Sequence, residues 1–109
     1  MKPLFLALFL VALAPVANAN YLVENGTVTA VTNTTGNDEQ FAIRITGGTG
    51  TCNTGVWIVF KLVNAGTEKI YDRAYAAALT ALALGRAVNV YDYHDTDSCS
   101  HAESIQIVG

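Results

Sequence analysis

Positive charge is scarce in this chain, which has six Lys and Arg against nine Asp and Glu among 109 residues. A protein that binds nucleic acid neutralises backbone phosphates with a basic surface, and an acidic chain does not supply one. Attraction to anionic lipids needs the same kind of surface. The composition therefore excludes nucleic acid and anionic membrane surfaces as expected partners.

Long hydrophobic runs are also few. The one that stands out, Leu4–Leu13, follows Lys2 and precedes the small-residue pattern Ala17–Ala19, as in a secretory signal peptide. It is too short to span a bilayer comfortably. We therefore predict a signal peptide over residues 1–19 and a single domain over residues 20–109, exported to the periplasm or secreted, without membrane insertion.

Cysteine is limited to Cys52 and Cys99, and both follow the predicted signal peptide. Thiols in exported proteins usually oxidise. With one partner available to each, the sequence predicts a Cys52–Cys99 disulfide. On the chain-entropy estimate, closing such a loop stabilises a fold by about 4 kcal/mol.

Alternation of apolar and polar residues predicts a β-rich domain. Gln40–Thr46 alternates cleanly, Val56–Leu62 is nearly apolar on both faces, and the first strand contains Gly26, where we expect a bend or bulge. The five predicted strands cover residues 21–32, 40–46, 56–62, 87–93 and 104–108.

A helix is predicted between strands three and four, over Glu68–Leu84. Thr67 suits the N-cap, and Gly85 suits a left-handed stop. Two stripes mark its surface: Tyr71, Tyr75, Leu79 and Leu82 form the first, and Ala74, Ala77, Ala78 and Ala81 form the second. We expect both to pack on the domain's own sheet; the alternative is that part of the alanine strip meets a second copy of the helix.

Residues 92–101, DYHDTDSCSH, concentrate carboxylates and both histidines near the end of the chain. The predicted disulfide brings this segment against the glycine-rich loop over residues 47–55. Loops fixed by a rigid scaffold often carry binding residues. The candidate contact residues on this surface are Asn53, Tyr93, His94, Asp95 and Asp97.

His94, Asp95, Asp97 and His101 carry side chains that can bind a metal ion, but their spacing matches no zinc or calcium pattern. A solvated turn is the preferred interpretation, and we expect no metal and no cofactor. A hydrolase built on Ser98 or Ser100 would use these histidines, yet the chain has no nucleophile-elbow motif. The sequence therefore does not indicate an enzyme.

The aromatic residues allow two interpretations. Tyr91 and Tyr93 share one face, where an exposed ring beside polar side chains suits sugar stacking; half-buried structural tyrosines explain them equally well. Trp57 is expected to be covered by the helix or by the other side of a small barrel.

The layout resembles a family of small exported bacterial proteins of uncharacterised function, which in turn resemble the binding subunits of pertussis-type toxins, such as those of subtilase cytotoxin and typhoid toxin. The similarity lies in a signal peptide, Cys52 before a tryptophan-bearing strand, an alanine-rich helix after strand three, and the late Cys99. The resemblance implies an OB-like five-stranded barrel with one helix. It also implies a subunit that assembles into a ring and binds glycans. In such a ring the alanine strip would line a pore.

From the residues and this resemblance, we expect a non-enzymatic exported binding module with a carbohydrate ligand. The alternative is a periplasmic or secreted domain that binds or inhibits a protein. A hydrolase ranks third.

Overall fold

A computed structural model describes residues 20–33, 39–94 and 98–109. The predicted signal peptide, the centre of the turn after β1, and Asp95–Asp97 lie outside these ranges. The elements in chain order are β1 (Asn20–Asn33), β2 (Gln40–Thr46), β3 (Thr54–Lys61), α1 (Leu62–Ala65), α2 (Glu68–Leu84), β4 (Ala87–Asp92) and β5 (Ser104–Ile107). The predicted strands are therefore confirmed in order and approximate extent, whereas the single-turn helix α1 was not predicted.

The five strands form one sheet in the order β3-β2-β1-β4-β5, and all neighbouring pairs are antiparallel. The long strand β1 lies at its centre and pairs with β2 along one part of its length and with β4 along another. The fold is therefore a small β-rich α+β domain with a helix between β3 and β4.

The strand ladders do not close this sheet into the predicted barrel. In the described part of the chain, β3 and β5 are its edges, and one isolated parallel bridge, from Phe60 to Ala102, connects β3 with the segment before β5. This bridge is isolated and lies outside β5, which begins at Ser104.

Strand β1 bends where its sequence predicted. Its pairing with β4 shifts register between Val23 and Gly26, and extra residues of this kind strengthen local twist. Gly26 is buried, and a β-carbon there would overlap the side chain of Ile45. Glycine is therefore required by close packing at the bend.

Helix α2 begins and ends at the predicted residues. The Thr67 hydroxyl accepts a hydrogen bond of 3.2 Å from the Ile70 amide, and Glu68 places a negative charge in the first turn. At the other end Gly85 is left-handed, with φ of 67°, and its amide donates to the Ala81 carbonyl. Both ends thus satisfy backbone groups that a helix leaves unpaired.

The alanine strip packs on the domain's own sheet. Ala78 and Ala81 are fully buried, and Ala74 and Tyr75 pack against the core. A second copy of the helix therefore cannot reach Ala78 or Ala81 in this fold, and the alternative of a helix–helix contact through them is wrong.

The other predicted stripe is buried in part. Tyr71 is buried, but Leu79 and Leu82 are 41% and 39% exposed. The prediction was wrong for these leucines. The helix contacts the sheet through its small alanine side chains, and this leaves the two leucines at the side of the helix, partly exposed to solvent.

Trp57 also differs from its prediction, since it is 39% exposed on the edge strand β3. The guanidinium of its cross-strand partner Arg44 lies 4.2 Å from the ring centroid. The indole is therefore covered partly by a cation rather than by the helix or a barrel wall.

Within the described residues, no helix combines the length and the apolar character needed to span a bilayer.

Candidate functional site

The disulfide between Cys52 and Cys99 is present, as predicted, with Cα atoms 5.8 Å apart. Backbone hydrogen bonds hold both ends to the sheet: Cys52 donates to the Leu22 carbonyl on β1, and Val59 on β3 donates to the Cys99 carbonyl. The segments around Cys52 and Cys99 are therefore fastened to the same sheet.

Strand β4 turns a carboxylate inward at its last residue. Val88, Val90 and Asp92 alternate onto the buried face, and all three are 0% exposed. The Asp92 Oδ1 atom accepts a hydrogen bond of 2.8 Å from the His94 amide and lies 3.3 Å from Nδ1 of His101. Asp92 is thus a buried acidic group held beside an imidazole.

A second carboxylate lies next to the other histidine. The backbone amide of Glu103 donates a hydrogen bond to the Tyr91 carbonyl, which holds Glu103 beside β4. Its Oε1 accepts a hydrogen bond of 2.6 Å from the Tyr93 amide, and its Oε2 lies 2.8 Å from His94 Nδ1. The Glu103 side chain is 6% exposed, whereas that of His94 is 68% exposed.

These four residues form one group, which we call the histidine–carboxylate cluster: Asp92, His94, His101 and Glu103. One nitrogen or carboxylate oxygen from each lies within 4.8 Å of the others, and the two imidazole centroids are 5.5 Å apart. Nδ1 of His101 is buried and makes no hydrogen bond to the described residues.

Three tyrosines form a second feature, which we call the tyrosine row: Tyr21, Tyr91 and Tyr93. The centroids of Tyr21 and Tyr91 are 4.3 Å apart, and those of Tyr91 and Tyr93 are 5.6 Å apart. Tyr21 is 39% exposed and Tyr93 is 53% exposed. The row therefore presents aromatic surface to solvent and continues along the chain into His94.

The hydroxyls of the row are linked. Tyr91 donates a hydrogen bond of 2.5 Å to Tyr21, and this bond is the main reason why the pKa of Tyr91 is raised, with desolvation and the nearby Glu24 adding to it. Tyr91 is thus held in its neutral, hydrogen-bonded form.

Amide side chains continue the outward face of β4 beyond the row. Asn89 Oδ1 accepts a hydrogen bond from the Asn25 amide, and Asn89 Nδ2 donates to Gln106 Oε1. Exposed aromatic rings therefore share this face with donors and acceptors that are fixed by the sheet.

The predicted contact residues separate in the structure. Tyr93 and His94 lie together, while Asn53 donates a hydrogen bond of 2.8 Å to the Gly48 carbonyl within its own loop. Asp95 and Asp97 are outside the described residues. Ser98, considered as a nucleophile, accepts a hydrogen bond from the Ser100 amide in a local turn.

Sequence reasoning missed Asp92, Glu103 and Tyr21 as site residues. For Asp92 a signal existed, because the alternation that buries Val88 and Val90 also turns Asp92 inward. Tyr21 and Glu103 had no comparable signal, since their positions depend on which strands pair.

Comparison with known proteins places the chain in a family. The model of the family of unknown function DUF5992 matches residues 3–109, so the chain belongs to that family. No curated protein and no solved structure matches it at a significant level.

Proposed function

We propose that this member of the DUF5992 family is an exported, non-enzymatic binding module whose ligand is a carbohydrate. The observation that carries the proposal is the tyrosine row, in which solvent-exposed rings stand beside hydrogen-bonding amides on a disulfide-stapled sheet. Sugars present an apolar face to aromatic rings and hydroxyls to polar side chains. The tyrosine rings would therefore stack on the sugar, and the neighbouring amides would bind its hydroxyls.

Rigidity supports the same proposal. Tyr21 and Tyr91 are direct cross-strand partners, and their hydroxyls are hydrogen-bonded. Preorganised side chains lose little conformational freedom on binding. The ring of Tyr93, the most exposed of the three, is then the primary stacking surface.

Export is the second part of the proposal. A disulfide is typical of oxidising compartments, and the N-terminal sequence has the composition of a signal peptide. The disulfide supports a periplasmic or secreted location for the folded domain.

The proposal extends to an OB-like fold and to the similarity with toxin binding subunits. The strand order supports an OB-like arrangement in which β3 and β5 would be the strands that meet. The parallel bridge from Phe60 to Ala102 is the backbone pairing between β3 and the segment before β5. A toxin-like subunit would assemble into a ring, and the helix surface that remains available for such contacts includes Leu79 and Leu82.

The test is a glycan array probed with the purified protein, followed by Tyr93→Ala and Tyr21→Ala. We expect binding to fall by about 5- to 150-fold in each, the range that corresponds to the roughly 1–3 kcal/mol found for stacking of a nucleobase on one aromatic ring. Trp57→Ala is the matched control, because Trp57 is as exposed as Tyr21 but lies on the edge strand β3. An array without signal, or equal binding by Tyr93→Ala, contradicts the proposal.

A protein partner is the second candidate, and the exposed leucines of α2 favour it. Leu79, Leu82 and Leu84 are 41%, 39% and 64% exposed, which is apolar surface that a protein interface would bury. Sedimentation separates the candidates in part: a pentamer favours the toxin-like proposal, and a monomer favours a domain that binds or inhibits another protein.

A further inference from the structure

We propose that the histidine–carboxylate cluster binds a divalent transition-metal ion, with zinc as the preferred ion. The donors would be one imidazole nitrogen each from His94 and His101 and one carboxylate oxygen each from Asp92 and Glu103. Metal binding here does not require that the protein bind carbohydrate, and all four donors are described residues.

The chemistry of the donor set selects the class of ion. Imidazole and carboxylate are both zinc ligands, whereas calcium and magnesium prefer oxygen donors alone. Both histidines of the chain belong to the cluster, and both cysteines are oxidised. Any metal ligation by an imidazole of this chain would therefore involve this cluster.

The distances suit a small tetrahedral ion. Zinc bonds of about 2.0–2.1 Å place neighbouring donors roughly 3.3 Å apart. Nδ1 of His101 lies 3.3 Å from Asp92 Oδ1, and Nδ1 of His94 lies 2.8 Å from Glu103 Oε2. Because all four donors lie within 4.8 Å of one another, modest side-chain rotation brings them around one ion.

The surroundings orient the carboxylates in the way that metal sites require. The Tyr93 amide holds Glu103 Oε1, and the His94 amide holds Asp92 Oδ1. Hydrogen bonds to the ligands fix their orientation and raise metal affinity. Both acidic side chains are more than nine-tenths buried, at 0% and 6% exposure, so a bound cation would offset two poorly hydrated negative charges.

His101 supplies an independent indication. Its Nδ1 is buried without a hydrogen bond to the described residues, although it points toward Asp92. A buried polar atom that makes no hydrogen bond costs about 1–3 kcal/mol, and metal ligation would satisfy this nitrogen better than its 3.3 Å contact with Asp92 Oδ1 does.

Four protein donors make a closed site, which is the structural rather than the catalytic type. The donors lie at the end of β4 and in the segment that leads into β5. The ion would therefore fasten the C-terminal loop to the sheet directly beside Tyr93. The donor set differs from the one that the sequence suggested: His94 and His101 were grouped with Asp95 and Asp97, whereas the structure places Asp92 and Glu103 beside them.

The test titrates zinc chloride into the purified, oxidised protein by calorimetry and repeats the titration with calcium chloride. We expect one zinc per chain and no calcium binding. His94→Ala and His101→Ala should each weaken zinc binding by at least about 100-fold, because even the loss of a group that supports a ligand costs about 10- to 100-fold. Glu24→Gln, which neutralises an exposed carboxylate on β1, is the control and should bind as the wild type does.

His94 is 68% exposed, so its substitution should leave the fold intact. A measurement that needs no variant is thermal unfolding of the wild type, whose Tm should rise with zinc and not with calcium. Absence of zinc binding by the wild type overturns the proposal. So does affinity that changes less than about threefold in both histidine variants, which would mean that the cluster consists of charge pairs alone.

Discussion

The hydroxyl groups of Tyr21 and Tyr91 are 2.5 Å apart although the residues are separated by 70 positions in the sequence. The contact joins the first strand to the fourth at the centre of the sheet. Tyr91 donates the proton of this hydrogen bond. Ionisation of Tyr91 at alkaline pH would therefore remove the donor.

Ionisation of Tyr91 should destabilise the fold only above its ordinary pKa of 10.0. The folded-state pKa is raised, mainly by the hydrogen bond to Tyr21. The unfolded chain therefore releases this proton first, and the stabilising contribution is complete below pH 10 and is lost as the pH rises through the folded pKa.

Tyr21→Phe should shift the ionisation of Tyr91 to lower pH, because it removes the acceptor. Carbon NMR of the Tyr91 ring, recorded as a function of pH, measures the shift. Tyr93→Phe is the control, since its hydroxyl takes no part in the Tyr21–Tyr91 bond. Identical Tyr91 titrations in the wild type and Tyr21→Phe would show that the bond does not affect its pKa.

Gly26→Ala should lower the free energy of unfolding by about 1–3 kcal/mol, the usual cost of overpacking a core. The new methyl group would overlap Ile45 and lie 2.6 Å from Cγ1 of Val23. Urea unfolding measures the change.

Gly55→Ala is the informative comparison for Gly26. Gly55 has φ of 84° and no neighbouring atom within 4 Å, so its substitution strains the backbone without overlap, at a cost of about 1 kcal/mol. If Gly26→Ala costs no more than Gly55→Ala, the close packing at the β1 bend is relieved by small shifts of Ile45.

Thr67→Ala should destabilise the domain by about 1 kcal/mol through loss of the α2 N-cap. The Thr67 hydroxyl accepts from the Ile70 amide, whereas the exposed Thr80 donates to the Ala76 carbonyl within the same helix. Thr80→Ala is therefore a matched control, and higher helix propensity should make it neutral or stabilising. Equal effects of the two substitutions would mean that capping is not the cause.

The elements that local signals define were predicted well. The capping residue Thr67 and the stop at Gly85 gave both ends of α2, and strict alternation gave β2 and β4. Each of these signals acts within a few residues, so the sequence alone is enough to read it.

The features that depend on distant pairing were predicted less well. Trp57 is exposed because β3 lies at an edge of the sheet, and Glu103 reaches His94 because β5 pairs with β4. Neither placement follows from local spacing. The disulfide was the exception among long-range contacts, since two cysteines leave one pairing.

Replacement of both cysteines by alanine should lower the free energy of unfolding by about 4 kcal/mol. The bond joins residues 47 positions apart, and opening a loop of that length restores this amount of chain entropy to the unfolded state. Urea unfolding of the Cys52→Ala, Cys99→Ala double variant measures the loss. The wild type in reducing agent is the control, because it loses the bond but keeps both side chains. A loss below about 1 kcal/mol in both would contradict the chain-entropy account and would mean that residual structure in the unfolded chain already restrains these segments without the bond.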